Sequence, residues 1–335
     1  MSLPAVSVVV TNWNGRHLLP TCLDALSAQT WQDFEIIVVD NGSTDDSVKW
    51  LREHWPSVRV IANSENLGFA AAVNQGIQAS AATFVATLNN DTQVEPGWLA
   101  ALVGAIESEA RVGLCASKML FAHRPGTINS AGVRIDRACM AWDRLGGEPD
   151  AHQETEPIEV FGACAGAALY RRAMLEEIGG FDQDFFMYLE DVDVAWRARL
   201  AGWRCLYVPT ARVLHRHSAS SVEGSPFKNL YSGRSKVWLV IKNYPFPAGL
   251  LYLPLVVFYD LGTLSYRQIL KGDWSALRGR WEGLAHWRVA WRKRHWLPGR
   301  KAPPHWPTAM SPVTSLWSVH AHMRRFMQRV VESQA

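Results

Sequence analysis

The sequence predicts an α/β protein: a doubly wound, mostly parallel sheet with flanking helices, followed by a mainly helical C-terminal region. Three observations carry that expectation. Up to residue 91, short β-branched apolar runs alternate with amphipathic stretches through short links, which is the pattern of βαβ units. Polar residues collect just after those runs, where open α/β sheets place their ligands. Beyond residue 236 the composition changes.

Val6-Ser7-Val8-Val9-Val10 reads as a first buried strand. The Asn12-Trp13-Asn14-Gly15 turn then leads to a helix with apolar positions at Leu19, Cys22, Leu23 and Leu26. Phe34–Asp40 is a second strand, ended by Asn41-Gly42-Ser43-Thr44, and Asp45-Asp46-Ser47 opens a helix through Leu51. Acids at that helix start suit its macrodipole. Val58–Ile61 is a third strand, Gly68–Ala79 a helix, and Thr83–Leu88 a fourth strand. Trp98–Ala110 then reads as a helix, Val112–Ser117 as a strand and Phe121–Asp136 as hairpins or loops. Residues 141–159 are polar and read as an exposed loop. The very small residues of Gly162–Leu169 let backbone pass close to a ligand or another element, and packing alone explains them equally well. Leu206–Pro209 is a short strand, followed by Val213–Ser218.

The 335 residues carry a net charge of +3, which hides an asymmetry. Residues 237–335 hold 14 Lys/Arg against 4 Asp/Glu and eight of the sixteen tryptophans; the preceding 236 hold 20 against 27. A mildly acidic body (1–225) and a basic, Trp-rich helical region (226–335) are therefore expected as separate units. The five cysteines (Cys22, Cys115, Cys139, Cys164 and Cys205) show no CxxC or Cys/His spacing. They read as reduced core residues of a cytosolic protein, and no basic-then-apolar leader precedes the first strand. No G-x-G-x-x-G follows that strand and no GxxxxGK[ST] exists, which argues against a dinucleotide fold and a P-loop.

Two clusters carry chemistry. The first is Leu88-Asn89-Asn90-Asp91-Thr92 at the end of the fourth strand. Asp91 offers a hard oxygen of the kind Mg²⁺ or Mn²⁺ prefers, in sites commonly completed by substrate phosphates. The bland alternative is a turn in which Asp91 or Thr92 caps the helix near Trp98. In a doubly wound sheet Asn12, Trp13 and Asp40 converge on the same crevice. Trp13 suits stacking on a nucleobase, and Asp40 suits hydrogen bonds to a base or ribose, unless it merely caps its turn. The second cluster is Phe185–Asp193, where Glu190, Asp191 and Asp193 open a helix behind an aromatic run. Capping is the bland reading. Apolar surroundings instead raise a carboxylate's pKa and fit it as a base. Asp191 and Asp193 point about 200° apart on a helix. His215, just past a strand, is a candidate metal ligand.

In this order the motifs resemble the non-processive, inverting glycosyltransferases of the GT-A fold, family two. The matching pieces are Val6–Gly15, Val39–Thr44, Asn66–Asn74, Leu88–Thr92, Gly179–Asp182, Glu190–Asp193 and His215. Within that family the chain is most similar to bacterial rhamnosyltransferase-like enzymes of polysaccharide or cell-wall assembly. The resemblance implies that Asn12, Trp13 and Asp40 hold a nucleoside, and that Asn66, Gly68, Phe69 and Asn74 line the diphosphate and sugar. It further implies that Asn89-Asn90-Asp91 stands in for a DxD motif, with Asp91 and His215 on Mg or Mn, and that Asp191 is the base. Glu190 and Asp193 are then expected on the acceptor side. The implied donor is a nucleotide sugar and the implied acceptor a lipid-linked saccharide. Asn89 departs from the family by replacing the first acid of DxD. That departure motivates an alternative, a non-catalytic nucleotide-sugar-binding or scaffold subunit of an assembly complex.

In the tail, Lys236–Tyr244 reads as a helix ending before Pro245, and Pro247–Tyr259 is an uncharged stretch of thirteen residues. It is too short to span a bilayer, which takes about 20 apolar residues. Trp274, Trp281, Trp287, Trp291 and Trp296 alternate downstream with Arg278, Arg280, Arg288, Arg292, Lys293 and Arg294. Such a pattern suits a peripheral protein at the inner face of the plasma membrane. A packed hairpin is the structural alternative. Nucleic acid is not expected, since no nucleic-acid module appears.

Overall fold

The computed structural model describes residues 3–151, 154–216, 225–245, 248–294 and 310–332. Its N-terminal half comprises β1 (Val6–Asn12), α1 (Leu19–Ser27), β2 (Phe34–Asp40), α2 (Ser47–His54), β3 (Arg59–Ala62), α3 (Phe69–Ala79) and β4 (Phe84–Asn89). β1 lies between β2 and β4, with β3 outside β2, all parallel. The β1 run is apolar on both pleat faces because both are covered. Val9 and Val39 meet Ala70 and Val73 of α3, while Val8 and Val10 meet Leu19 and Leu23 of α1. α3 comes so close that a Cβ on Gly76 would stand 2.3 Å from a Val9 methyl.

The second half adds β5 (Thr92–Val94), α4 (Trp98–Glu107), β6 (Val112–Phe121), β7 (Arg124–Ser130), β8 (Val133–Ile135), β9 (Ala141–Asp143), β10 (Ile158–Val160) and β11 (Ala167–Arg171). It closes with α5 (Arg172–Ile178), a 3-10 turn at Gln183–Phe185, α6 (Glu190–Leu200) and β12 (Arg204–His215). β11 inserts antiparallel between β4 and β6, and β12 runs parallel to β6. The result is a mixed, mostly parallel sheet ordered β10-β12-β6-β11-β4-β1-β2-β3.

Three expectations change here. Gly97, not Asp91 or Thr92, precedes α4, because residues 92–94 pair with β12 instead. The two short pieces around Pro209 are one strand, whose register shifts between Val208 and Arg212, the kind of irregularity that accommodates proline. Residues 141–148 are no exposed loop, whereas residues 151 and 155–157 are exposed as expected. Gly146 and Gly147 lie against Phe326, where a Cβ on Gly146 would stand 2.9 Å from the ring.

The C-terminal region forms α7 (Pro226–Asn243), α8 (Ala248–Lys271), α9 (Ser275–Ala285), α10 (Trp287–Arg292) and α11 (Leu316–Glu332). α7 begins ten residues before the sequence suggests, capped by Ser225, whose hydroxyl accepts the Lys228 N–H at 3.2 Å. Glycines let α7 and α9 touch: a Cβ on Gly279 would lie 2.0 Å from the Leu230 carbonyl oxygen. The uncharged stretch lies on α8, except Pro247, which falls outside the described residues, as does Trp296. Among the described residues no helix is long and apolar enough to cross a membrane.

Candidate active site

β1, β2 and β4 end level with one another, so their polar termini meet. Asn12 Nδ2 donates to Asp40 Oδ2 at 2.7 Å, and Asn90 Nδ2 donates to Asn12 Oδ1 at 2.7 Å. Gly15 makes the junction possible, since a Cβ there would stand 2.0 Å from Asn90 Nδ2. Asp40 also accepts the Ser43 N–H at 2.9 Å. It is 1% exposed, so the turn-capping role is the one its contacts display. Trp13 stands beside this network with 42% of its surface exposed, leaving an aromatic face for a planar ligand.

Antiparallel pairing of β5 with β12 sets His215 opposite Thr92 and so brings Asp91 to the histidine. His215 Nε2 lies 3.2 Å from Asp91 Oδ1, while Nδ1 faces Asn129 Oδ1 at 2.8 Å. With Nδ1–H given to Asn129, the Nε2 lone pair and the Asp91 carboxylate converge. A divalent cation joins such a pair, and two protein ligands leave its remaining positions to phosphate oxygens and water. The donor set therefore fits Mg²⁺ or Mn²⁺. Among the described residues no cluster of three or more His, Cys, Asp or Glu forms a closed metal cage. Asn89, the position of the missing acid, donates its N–H to Gly166 O at 2.9 Å. A cleft of about 430 Å³, lined by Thr21, Asn90, Asp91, His123 and Arg216 among others, opens beside the pair.

On the other side, Asn66 Oδ1 accepts the Gly68 N–H at 2.9 Å. Gly68 adopts φ +87° and nestles against Phe186, whose carbonyl accepts the Phe69 N–H at 2.7 Å. Phe69 stacks edge-on to Phe181. Asn74 departs from expectation. Its amide clamps the Phe181 backbone, donating to Phe181 O at 2.7 Å and accepting Phe181 N–H at 3.0 Å. With both polar atoms so engaged, Asn74 shapes the wall rather than reaching for a donor. Phe186, Tyr188 and Leu189 then take φ values of 61°, 70° and 66°. Such conformations cost a non-glycine residue on the order of 1–3 kcal/mol each.

The three acids of α6 have three fates. Burial, then the adjacent Asp191, pushes Glu190 well above the usual carboxylate range. Burial, then Asp143, raises Asp191 to about 6, while the Val192 and Ala165 N–H groups hold it down. Those two N–H groups lie 2.8 and 3.4 Å from its oxygens. Burial would raise Asp193 too, but Arg197, Lys242 and Asn243 outweigh it and hold it at about 2. Lys242 Nζ lies 3.0 Å from Asp193 Oδ2 and Asn243 Nδ2 2.7 Å from Oδ1. The acceptor-side expectation is thus corrected for Asp193: it is 0% exposed and its lone pairs face cations and an amide. The neighbouring carboxyls 190 and 191 are both raised by burial, and perturbed carboxyls of this kind cluster at functional sites.

The sequence profile of glycosyl transferase family 2 matches residues 7–179. The chain belongs to that family. It is 31% identical to the N-acetylglucosaminyl-diphospho-decaprenol L-rhamnosyltransferase of Mycobacterium tuberculosis over 262 residues, covering 70% of this chain and 83% of the relative. It is also 31% identical to O-antigen biosynthesis protein RfbC of Myxococcus xanthus, across 65% of this chain but 18% of that one. GalNAc-T7 with UDP, GalNAc and Mn²⁺ superposes with a TM-score of 0.61 at 21% identity, covering 84% of this chain and 55% of that one. A mannosyltransferase from Pyrobaculum calidifontis, in complex with GDP-Man and Mn²⁺, gives 0.55 at 17%, covering 98% and 88%. These likenesses show a shared GT-A architecture, and the protein is a glycosyltransferase.

Some neighbours of the candidate site residues were not legible beforehand. Asn129, which orients His215, sits on β7 inside a stretch that carries no distinctive pattern. Asp143 acts on Asp191 from a segment that reads as an exposed loop. The small-residue run lets its backbone pass close to another element, α6. A Cβ on Gly162 would collide with Ala195 of α6 at 2.4 Å, and the Ala165 N–H approaches Asp191.

Proposed function

We propose that the protein transfers a sugar, rhamnose foremost, from a nucleoside diphosphate donor to a lipid-linked saccharide with inversion, using Asp191 as base and a divalent cation. The observation that carries this reading is the setting of Asp191 at the start of α6, where its carboxylate takes the Val192 and Ala165 N–H groups at 2.8 and 3.4 Å while burial and Asp143 raise it to about 6. An ionised carboxylate poised near neutrality removes the proton of an attacking hydroxyl, worth roughly two to four powers of ten in rate. A single such base suffices for one in-line displacement, which inverts the anomeric centre. Asp91 and His215 would hold Mg²⁺ or Mn²⁺, which when bound offsets the charge growing on the departing diphosphate. Asn12, Asn90 and Asp40 keep the floor of the nucleoside pocket rigid, Trp13 covers the base, and Asn66, Gly68 and Phe69 shape the wall for the sugar diphosphate.

The M. tuberculosis relative supports the choice of sugar and of a lipid-diphosphate acceptor. A membrane-facing role for residues 226–335 is supported by the apolar side chains that α8 leaves exposed, Leu250, Leu251, Val257 and Phe258. Trp274, Trp281, Trp287 and Trp291 are exposed on α9, α10 and their approach, with Arg278, Arg288 and Arg292 outward among them. Lys293 and Arg294 belong elsewhere. Lys293 pairs with Asp182 and Asp184, and Arg294 donates to the Ile241 and Tyr244 carbonyls. The five cysteines are all unbridged, which suits a reducing compartment and the cytoplasmic face of the membrane.

A panel of nucleoside diphosphate sugars tests this reading by thermal shift with Mn²⁺, because a bound donor stabilises the fold by mass action. The best donor is then followed for nucleoside diphosphate release with and without a short polyprenyl-diphosphate saccharide. Stabilisation without any release, even with acceptor, would make the chain a binding subunit instead.

A further inference from the structure

We propose that Lys293 is a positioning residue for catalysis: from the end of α10 it pins residues 182–189, and through them the Glu190–Asp191 end of α6. The inference rests on the reading of Asp191 as base. It makes the C-terminal helices a working part of the catalytic centre rather than an appendage.

The segment is held from outside itself. Lys293 Nζ lies 2.6 Å from Asp182 Oδ1 and 2.6 Å from Asp184 Oδ2, so one cation bridges the residue that caps the 3-10 turn and the residue at its centre. The other oxygen of Asp182 takes Lys242 Nζ at 2.6 Å. Arg234 of α7 donates to the carbonyls of Asp184 and Phe185, each at 3.1 Å. Directly downstream come the three left-handed residues Phe186, Tyr188 and Leu189, a conformation that non-glycine residues keep only when their surroundings impose it. Leu189 is the last residue before α6, and its carbonyl accepts the Asp193 N–H at 2.9 Å. Phe186 O meanwhile accepts the Phe69 N–H. One strained segment thus joins the donor wall to the base, and cations of α7 and α10 clamp it.

Lys242 is a poor probe, since it is 2% exposed and also holds Asp193. Lys293 is a good one: its side chain is 42% exposed and, among the described residues, both its ion pairs go to this segment. An ordinary surface ion pair contributes little, so removing one that merely decorates the fold would leave the active site undisturbed.

The test uses full-length Lys293→Gln and Lys293→Arg proteins. Without any ligand, hydrogen exchange at the amides of residues 185–191 should quicken about tenfold in Lys293→Gln, while those of β1 and β4 stay unchanged. With the donor selected by thermal shift, kcat should fall about tenfold and donor KM stay within about twofold. Lys293→Arg should restore both readouts, because the bridging cation returns. Asp184→Asn should move kcat in the same direction. Unchanged exchange in Lys293→Gln, or a kcat loss that Lys293→Arg leaves unrepaired, would overturn the proposal. If exchange quickens as expected but Asp191→Asn turns over normally, the base assignment has failed and the clamp has not.

Discussion

At the carboxyl edge of β1, β2 and β4 the acid Asp40 is met by an amide and a backbone N–H, whereas among the described residues the acids that open α6 meet either no cation or two. Asp40 takes Asn12 Nδ2 and the Ser43 N–H, a neutral setting that orients it without adding charge. On α6, Asp193 sits between Arg197 and Lys242, while Asp191 has backbone N–H partners and a like charge in Asp143. Two carboxylates two residues apart therefore differ from about 2 to about 6. Residue type did not set these roles. The facing elements did, because α7 covers one side of α6 while the small-residue run covers the other.

The sharpest way to break that contrast is to neutralise each acid. Asp191→Asn should lower turnover by roughly two to four powers of ten with donor binding near normal, measured by kcat and by thermal shift. A drop of less than about tenfold would remove Asp191 as the base. Asp193→Asn should do the reverse, costing about 3–5 kcal/mol of stability because Lys242 and Arg197 lose their buried counter-charge. Chemical denaturation reads it; a variant as stable as the parent would show the network to be dispensable.

The basic tail offers the same contrast on a larger scale, between cations turned inward and cations turned outward. Replacing Arg278, Arg288 and Arg292 together by Gln should remove up to about 3 kcal/mol of attraction to anionic vesicles, at about 1 per charge. The melting temperature should barely move. Residual binding should persist in salt, since apolar burial is not screened as charge is. If the unaltered protein ignores anionic liposomes in co-sedimentation, the apolar face has another use.

For the Asp91–His215 pair, Asn129→Ala should weaken divalent metal affinity by about ten- to a hundredfold, as loss of an orienting hydrogen bond does. Asp91→Ala and His215→Ala should each raise the metal concentration needed for half-maximal turnover. Full activity in excess chelator would remove the metal from the account.

The smallest effects are those of pH. A base at Asp191 has to be ionised to act, so on that proposal kcat/KM should fall about tenfold per unit below an apparent pKa near 6. Stability bends in opposite directions at the two acids. Asp191, raised from 3.8 to about 6, binds its proton more tightly in the folded state, so it withdraws stability as pH rises through that window. Asp193, lowered from 3.8 to about 2, contributes stability above 3.8 that is lost as pH falls toward 2. An activity profile with no acid limb above pH 5 would sink the assignment of Asp191.

The sequence by itself determined the parallel half, because continuous apolar runs such as Val6–Val10 can be satisfied only by cover on both faces. It also singled out Asn12, Asp40, Asp91, Asp191 and His215 as candidates, since strand ends and helix starts are local events with local signals. What it left open lies in pairing at a distance. That β5 turns back onto β12 and delivers Asp91 to His215 depends on a register between residues 92–94 and 213–215. That Asn74 serves the Phe181 backbone, that Asp193 is sealed by Lys242, and that Lys293 bridges two aspartates of the 182–189 segment were likewise decided only by tertiary structure. A side chain's role follows from the charge and dielectric around it, and that environment is assembled from elements a hundred residues apart.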